Sequence, residues 1–158
     1  MMISLSPIGT VKNNLQVIEG DNWDSRISVI ELLDPLTDEA LHGLEDFSHA
    51  EVIFFFDRVD ENSVETGVRQ PRNNPNWPRV GILAQRGKNR PNRLGATIVR
   101  IIRLSGRTLT VQGLDALDGT PVIDIKPVMR EFLPRGEIRQ PAWASELMKD
   151  YRVDKDIK

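Results

Sequence analysis

Apolar and polar positions alternate in short runs along this chain, and turn-forming residues separate the runs. Alternation puts every second side chain on one face of an extended segment and predicts a half-buried strand, whereas an unbroken apolar run predicts a strand covered on both faces. On this pattern, residues 3–11, 27–33, 49–57, 79–85, 95–104, 107–114 and 121–126 are the strand candidates. The run Val52-Ile53-Phe54-Phe55-Phe56 is apolar throughout and is expected at the centre of the core, buried on both sides. Residues 98–104 and 108–114 flank Ser105-Gly106-Arg107, a compact turn that predicts an antiparallel hairpin. Asp118-Gly119, between apolar runs, predicts a second hairpin, because a type I′ turn needs the positive φ that glycine tolerates. Helical signals are few: residues 38–44 suit one or two turns, and residues 142–151, with Pro141 at the first turn, carry an apolar stripe of Trp143, Leu147 and Tyr151. Residues 62–78, with Gly67, Pro71, Pro75 and Pro78, predict no regular element and exceed an ordinary connection. The pattern predicts a mostly β fold, a small barrel or sandwich with one or two short helices and a long loop.

Composition narrows the chemistry. A chain of 158 residues fits one domain, with residues 1–140 forming its β body and 141–158 a helix and charged tail. Zero cysteines exclude disulfides, thiolate catalysis and thiolate metal sites. His42 and His49, the two imidazoles, are seven apart, which is not a metal-ligand spacing, so no metal is expected. No run approaches the roughly 20 apolar residues that span a bilayer, and the first ten residues lack signal-peptide character. A cytoplasmic protein without a membrane partner is the expectation.

Charge then singles out one stretch. Arg69 to Arg107 holds ten Lys or Arg residues and no Asp or Glu, while residues 1–68 carry fourteen acids against three bases. A concentrated positive surface attracts a phosphate, a nucleotide or an RNA loop; equally, part of this charge can pair with the acidic N-terminal third, within the fold or across a dimer.

Two segments carry candidate chemistry. Residues 84–95 place Arg86, Lys88, Arg90 and Arg93 among two glycines, a proline and two asparagines, a loop suited to present guanidinium groups and free backbone N–H groups to an anion. Residues 113–127 place Asp115 and Asp118 directly after a predicted strand, where a carboxylate can accept the hydroxyls of a ribose or face a sulfonium cation. An ordinary solvated turn is the plain alternative for each.

With Ser6-Pro7-Ile8-Gly9 and Gly43-Leu44-Glu45-Asp46-Phe47-Ser48-His49, these segments resemble the motifs of the TsaA-like family, whose characterised members are the tRNA methyltransferase O enzymes. The matches include Arg90-Pro91-Asn92 with Leu94-Gly95, and the whole of Leu114 to Pro127, in the family's order. The resemblance implies a small β-barrel that dimerises and binds S-adenosylmethionine. No Gly-x-Gly-x-x-Gly fingerprint of the dinucleotide-binding fold is present, which agrees. It implies methyl transfer to N6 of threonylcarbamoyladenosine beside the tRNA anticodon. Cofactor contacts then fall on Asp57, Arg58, Arg86, Ala96, Leu114, Asp115, Ala116, Leu117 and Asp118, and Lys88, Arg90 and Arg93 face the RNA or the threonyl carboxylate. The acceptor nitrogen must lose a proton, and Asp118, Asp57 and Asp115 are the candidate catalytic bases. In a domain this small, the basic loop of one subunit is expected to contribute to the site of the other.

The chain also departs from the family pattern. Asp57-Arg58 stand where the better-known enzymes resemble His-Gln, and residues 14–23 replace a Pro-Arg-Gln cofactor segment, with Trp23 available to stack on adenine instead. Longer members add a C-terminal domain, which this chain is expected to lack. Two alternatives therefore accompany the methyltransferase: an S-adenosylmethionine-binding module that binds RNA or senses a nucleotide without transfer, and a methyltransferase of a small molecule.

Overall fold

A computed structural model describes residues 1–18 and 20–152. Its strands are β1 (Gly9–Lys12), β2 (Ile27–Leu32), β3 (His49–Phe55), β4 (Val68–Arg69), β5 (Val80–Gly81), β6 (Leu94–Ser105), β7 (Thr108–Gln112) and β8 (Pro121–Pro127), and Ala142–Met148 is the helix α1. Six of them close into an antiparallel barrel in the order β1-β2-β7-β6-β3-β8, while β4 and β5 form a separate two-stranded ribbon. The architecture is the mostly β, small-barrel fold that pattern and resemblance implied.

Closure follows from the alternation. Val11, Ile30, Leu32, Ala50, Val52, Phe54, Val99, Leu109, Val111 and Val122 point inward and are buried together with Leu114 and Ala116. Each large apolar side chain buried this way contributes about 1.5–3 kcal/mol, so one inward face per strand suffices to drive closure. The expectation that residues 52–56 are covered on both faces needs correction. Val52 and Phe54 are buried, but Ile53 and Phe55 face outward and are only half-buried, because a barrel wall has one interior. Phe55 is sheltered from outside by the Arg93 guanidinium, 4.6 Å from its ring centroid.

β6 is long because it serves two neighbours, pairing with β3 over Leu94–Arg100 and with β7 over Arg100–Ser105. The register shifts between Ile101 and Arg103, and such a bulge bends a strand around a barrel corner. β6 and β7 meet at Gly106, as the predicted hairpin requires.

The second predicted hairpin does not form. β7 pairs with β2 and β6, and β8 with β1 and β3, so Asp118-Gly119 does not join paired strands. Gly119 has φ 82°, as the sequence suggested, but its N–H bonds the Val11 carbonyl at 2.7 Å and the Asp118 N–H bonds the Leu15 carbonyl at 2.8 Å. The turn is stitched to the chain leaving β1 instead.

Other boundaries moved for local reasons. The helix expected over 38–44 is two 3-10 turns, Asp38–Leu41 and Leu44–Asp46, divided by an extended His42 and by Gly43 at φ 91°. Residues 3–8 lie outside β1, and the 79–85 candidate is β5 followed by a 3-10 turn over Ile82–Ala84. The segment 62–78 is built rather than irregular: it contains β4, a 3-10 turn at Pro71–Asn73, and an Arg72 guanidinium paired with Asp21 at 2.9 Å. Of the charged tail expected over 152–158, Arg152 is paired with Asp24 at 3.3 Å, and the remainder lies outside the described residues.

Candidate active site

The register places Lys12, Ile27, Phe55, Leu94, Gln112 and Pro121 at one end of the barrel. Whereas Ser6–Gly9 and the Gly43–His49 segment lie at the opposite end, where β1 and β3 begin, the connections leaving these ends carry the 84–95 and 113–120 motifs. Three segments distant in sequence, 13–16, 57–58 and 113–118, are tied together there by hydrogen bonds.

Asp118 organises the first of these. Its Oδ1 accepts the backbone N–H groups of Asn13 (2.9 Å) and Asn14 (3.3 Å), and Gln16 Nε2 donates to Oδ2 at 3.4 Å. The Asn13 and Asn14 N–H groups stabilise the anion and hold the carboxyl below its ordinary pKa. Arg58 closes the same corner, donating to the Gln16 carbonyl (2.6 Å), Gln16 Oε1 (3.3 Å) and the Asp118 carbonyl (2.7 Å). Segments 14–23 and 57–58, where the sequence was expected to depart from the family pattern, are therefore in contact through Arg58 and Gln16.

Asp115 is held differently. The Thr97 hydroxyl donates to its Oδ1 and the Tyr151 hydroxyl to its Oδ2. Burial, followed by the negative charge of Asp115, pushes the Tyr151 phenol well above its ordinary range, so it stays a neutral donor. Leu114 and Ala116 on either side are core residues that fix the backbone, while Leu117 is half-buried. Asp57 is exposed at the rim, two residues beyond β3, and its side chain has no partner among the described residues.

The basic loop reaches the same end within its own chain. Arg86 donates to the Ala96 carbonyl at 2.6 Å, bringing those two predicted site residues together. Arg90 donates to the Gln85 carbonyl (2.6 Å), and Arg93 to the Val59 carbonyl (2.6 Å) and Glu61 (3.1 Å), with its side chain only 17% exposed. Both guanidinium groups fasten the loop, whereas Lys88 is exposed. Trp23 is 5% exposed with Arg26 5.4 Å from its ring centroid. Its ring is packed internally and offers no free face for stacking.

Sequence reasoning missed three residues here. Thr97 reads as one polar position in a strand, and Tyr151 was legible only as part of an apolar stripe. Asn13, which donates to Ser28 Oγ (3.0 Å) and the Ala116 carbonyl (2.8 Å), gave no signal. Among the described residues, no helix is long and apolar enough to cross a membrane, and no group of three His, Cys, Asp or Glu side chains could hold a metal ion.

Residues 16–132 match the family described as the tRNA-methyltransferase O N-terminal domain. The chain is 38% identical over 144 residues to a putative S-adenosylmethionine-dependent methyltransferase, RcsF, of Pseudomonas aeruginosa, covering 87% of this chain and 58% of that protein. It is 33% identical over 104 residues to the human tRNA (adenine(37)-N6)-methyltransferase, covering 66% of this chain and 23% of the human protein. The crystal structure of TrmO from Pseudomonas aeruginosa superposes with a TM-score of 0.67 at 31% identity, over 87% of this chain and 61% of that one. The chain thus spans between about a quarter and three-fifths of the length of these relatives.

Proposed function

The chain belongs to the tRNA-methyltransferase O family, and from that premise we propose that it is an S-adenosylmethionine-dependent tRNA methyltransferase acting on N6 of threonylcarbamoyladenosine beside the anticodon. The observation that carries the reading is convergence. Asp57, Arg58, Arg86 and the Leu114 to Asp118 segment, to which the resemblance assigns the cofactor, belong to connections at one end of the barrel, and Ala96, assigned with them, lies near the start of β6 at that same end.

The donor set there suits the cofactor. The Asp115 carboxylate retains lone pairs for ribose hydroxyls, and the Ala96 carbonyl keeps one beside Arg86. Bound there, S-adenosylmethionine would supply an electrophilic methyl group on a sulfonium sulfur. The chain contributes alignment and proton removal. Of the three candidate bases, Asp118 is occupied by N–H donors that stabilise its anion, and Asp115 by two hydroxyls. Asp57, exposed and unpaired among the described residues, is the proposed proton acceptor.

The RNA is proposed to lie across Lys88 and the exposed Arg100 and Arg103 of β6, none of which has a carboxylate partner among the described residues. Arg90 and Arg93 act by holding the loop in place. A dimer is also proposed, because the exposed arm between β8 and α1 carries unburied apolar side chains.

Calorimetric titration with S-adenosylmethionine, with and without tRNA, tests the cofactor reading. Binding by the wild type, weakened about tenfold or more in Arg86→Ala, is expected. Labelled methyl should then pass to threonylcarbamoylated tRNA and not to tRNA lacking that group. No binding under either condition overturns the reading, and binding of both partners without turnover replaces it with a non-transferring module.

A further inference from the structure

The chain ends its described course by returning to the candidate site. From β8 it runs through an arm whose backbone hydrogen bonds are local, such as Phe132 N–H to the Met129 carbonyl at 3.0 Å, and then through α1. Beyond α1 it docks on residues far away in sequence. Asn22 N–H donates to the Asp150 carbonyl and Trp23 N–H to the Tyr151 carbonyl, both at 3.0 Å, and Arg152 pairs with Asp24 at 3.3 Å. Trp77 Nε1 donates to Glu146 at 3.1 Å. The arm does not dictate where this strap lies; its own contacts do.

The contact that matters for chemistry is Tyr151 on Asp115. A carboxylate turns freely about its last torsion, which is broad and roughly two-fold, so a single partner leaves its plane ill-defined. Here Thr97 of β6 takes one oxygen and Tyr151 of the strap takes the other. Two hydroxyls from two elements fix the plane, and each oxygen keeps lone-pair capacity for a further donor.

Building on the proposed cofactor reading, we infer that Tyr151 is a positioning residue of that site, orienting the Asp115 carboxylate to accept the ribose hydroxyls of an adenosyl ligand, and that the C-terminal strap completes the site. A tyrosine kept neutral by burial remains a donor throughout the working pH range.

The test compares wild type, Tyr151→Phe and Asp115→Asn by calorimetry with S-adenosylhomocysteine and with its 2′-deoxy and 3′-deoxy analogues. Melting curves check that each variant folds. In the wild type, removing a ribose hydroxyl should weaken binding, and Tyr151→Phe should weaken binding of the full ligand by about tenfold, the scale of one hydrogen bond to a charged group. The discrimination between ribose and deoxyribose should shrink in Tyr151→Phe as in Asp115→Asn, and combining the two substitutions should add little. General loosening of the strap would weaken all ligands alike, and that result, or unchanged binding in Tyr151→Phe, overturns the inference while leaving the cofactor reading intact. If the wild type binds no adenosyl ligand, both fall together.

Discussion

At the residue scale, Asp118 shows how a carboxylate that looks catalytic in sequence can serve as a scaffold. Its bonds from the Asn13 and Asn14 N–H groups favour the charged form, so its folded pKa lies below the ordinary value of 3.8. The sign follows from linkage: a depressed carboxyl contributes stability that is complete above its unfolded pKa and is lost as pH falls through the folded one. The corner built by residues 13–16 should therefore hold unchanged at neutral pH and loosen only below about pH 3.8. Side-chain carboxyl NMR should give Asp118 a midpoint under that value, and a midpoint at or above it would contradict this account. Asp118→Ala should speed amide exchange at Asn13 and Asn14 at pH 7, and Asp118→Asn less so, since it keeps an acceptor but not the charge. Gly95 makes a different kind of demand. Its backbone lies so close under the Phe54 ring that a Cβ would overlap it, so Gly95→Ala should cost about 1–3 kcal/mol in denaturant unfolding. The Leu94-Gly95 pair is visible in sequence as a motif, but the ring that requires the glycine is on the neighbouring strand.

Among the elements, what was legible depended on whether the signal was local. The β6–β7 hairpin needed only two alternating runs and a turn, and it formed. The hairpin read at Asp118-Gly119 had the same local signal, yet the strands on either side found better partners across the barrel, and its donors went to Val11 and Leu15 instead. Turn chemistry specifies a backbone conformation, not which strands pair. The basic loop makes the same point with charge. Arg90 and Arg93 look equivalent to Lys88 in sequence, but they serve backbone carbonyls, and Arg93 also covers Phe55. Arg93→Ala should destabilise the fold by about 2 kcal/mol, through the lost charged hydrogen bonds and the exposed ring. Lys88→Ala should leave the melting temperature unchanged and lower the slope of log affinity for tRNA against log salt by about 1. An unchanged slope would remove Lys88 from the RNA face.

Over the whole molecule, the block of ten cations divides between pairing within the fold and exposure to solvent. Arg72, Arg93 and Arg107 pair with Asp21, Glu61 and Asp34 of the acidic N-terminal third, which leaves exposed cations such as Lys88, Arg100 and Arg103 for a polyanion. Sequence could count these charges but not sort them, because sorting depends on which loops close over one another. The same holds for the arm between β8 and α1. Sequence placed it in the β body, but Phe132 is 86% and Ile138 69% exposed, and the barrel offers them no cover. A Phe that projects fully into water forgoes the stabilisation of burial, and two copies exchanging arms about a two-fold axis would bury each such residue twice. Burial of a Phe side chain is worth about 1.5–3 kcal/mol, and two symmetric copies make that about 3–6 kcal/mol per dimer. Phe132→Asp should accordingly raise the dimer dissociation constant by roughly 10²- to 10⁴-fold, at about 1.4 kcal/mol per decade. Analytical ultracentrifugation across a concentration series reads this directly: the wild type should sediment as a dimer where the variant is a monomer. Since the Tyr151 strap is anchored on its own barrel, the monomeric variant should still bind the adenosyl ligand. Loss of that binding in the monomer would mean that the partner's arm contributes to the site, and a monomeric wild type would mean that the arm is covered by something other than a second copy.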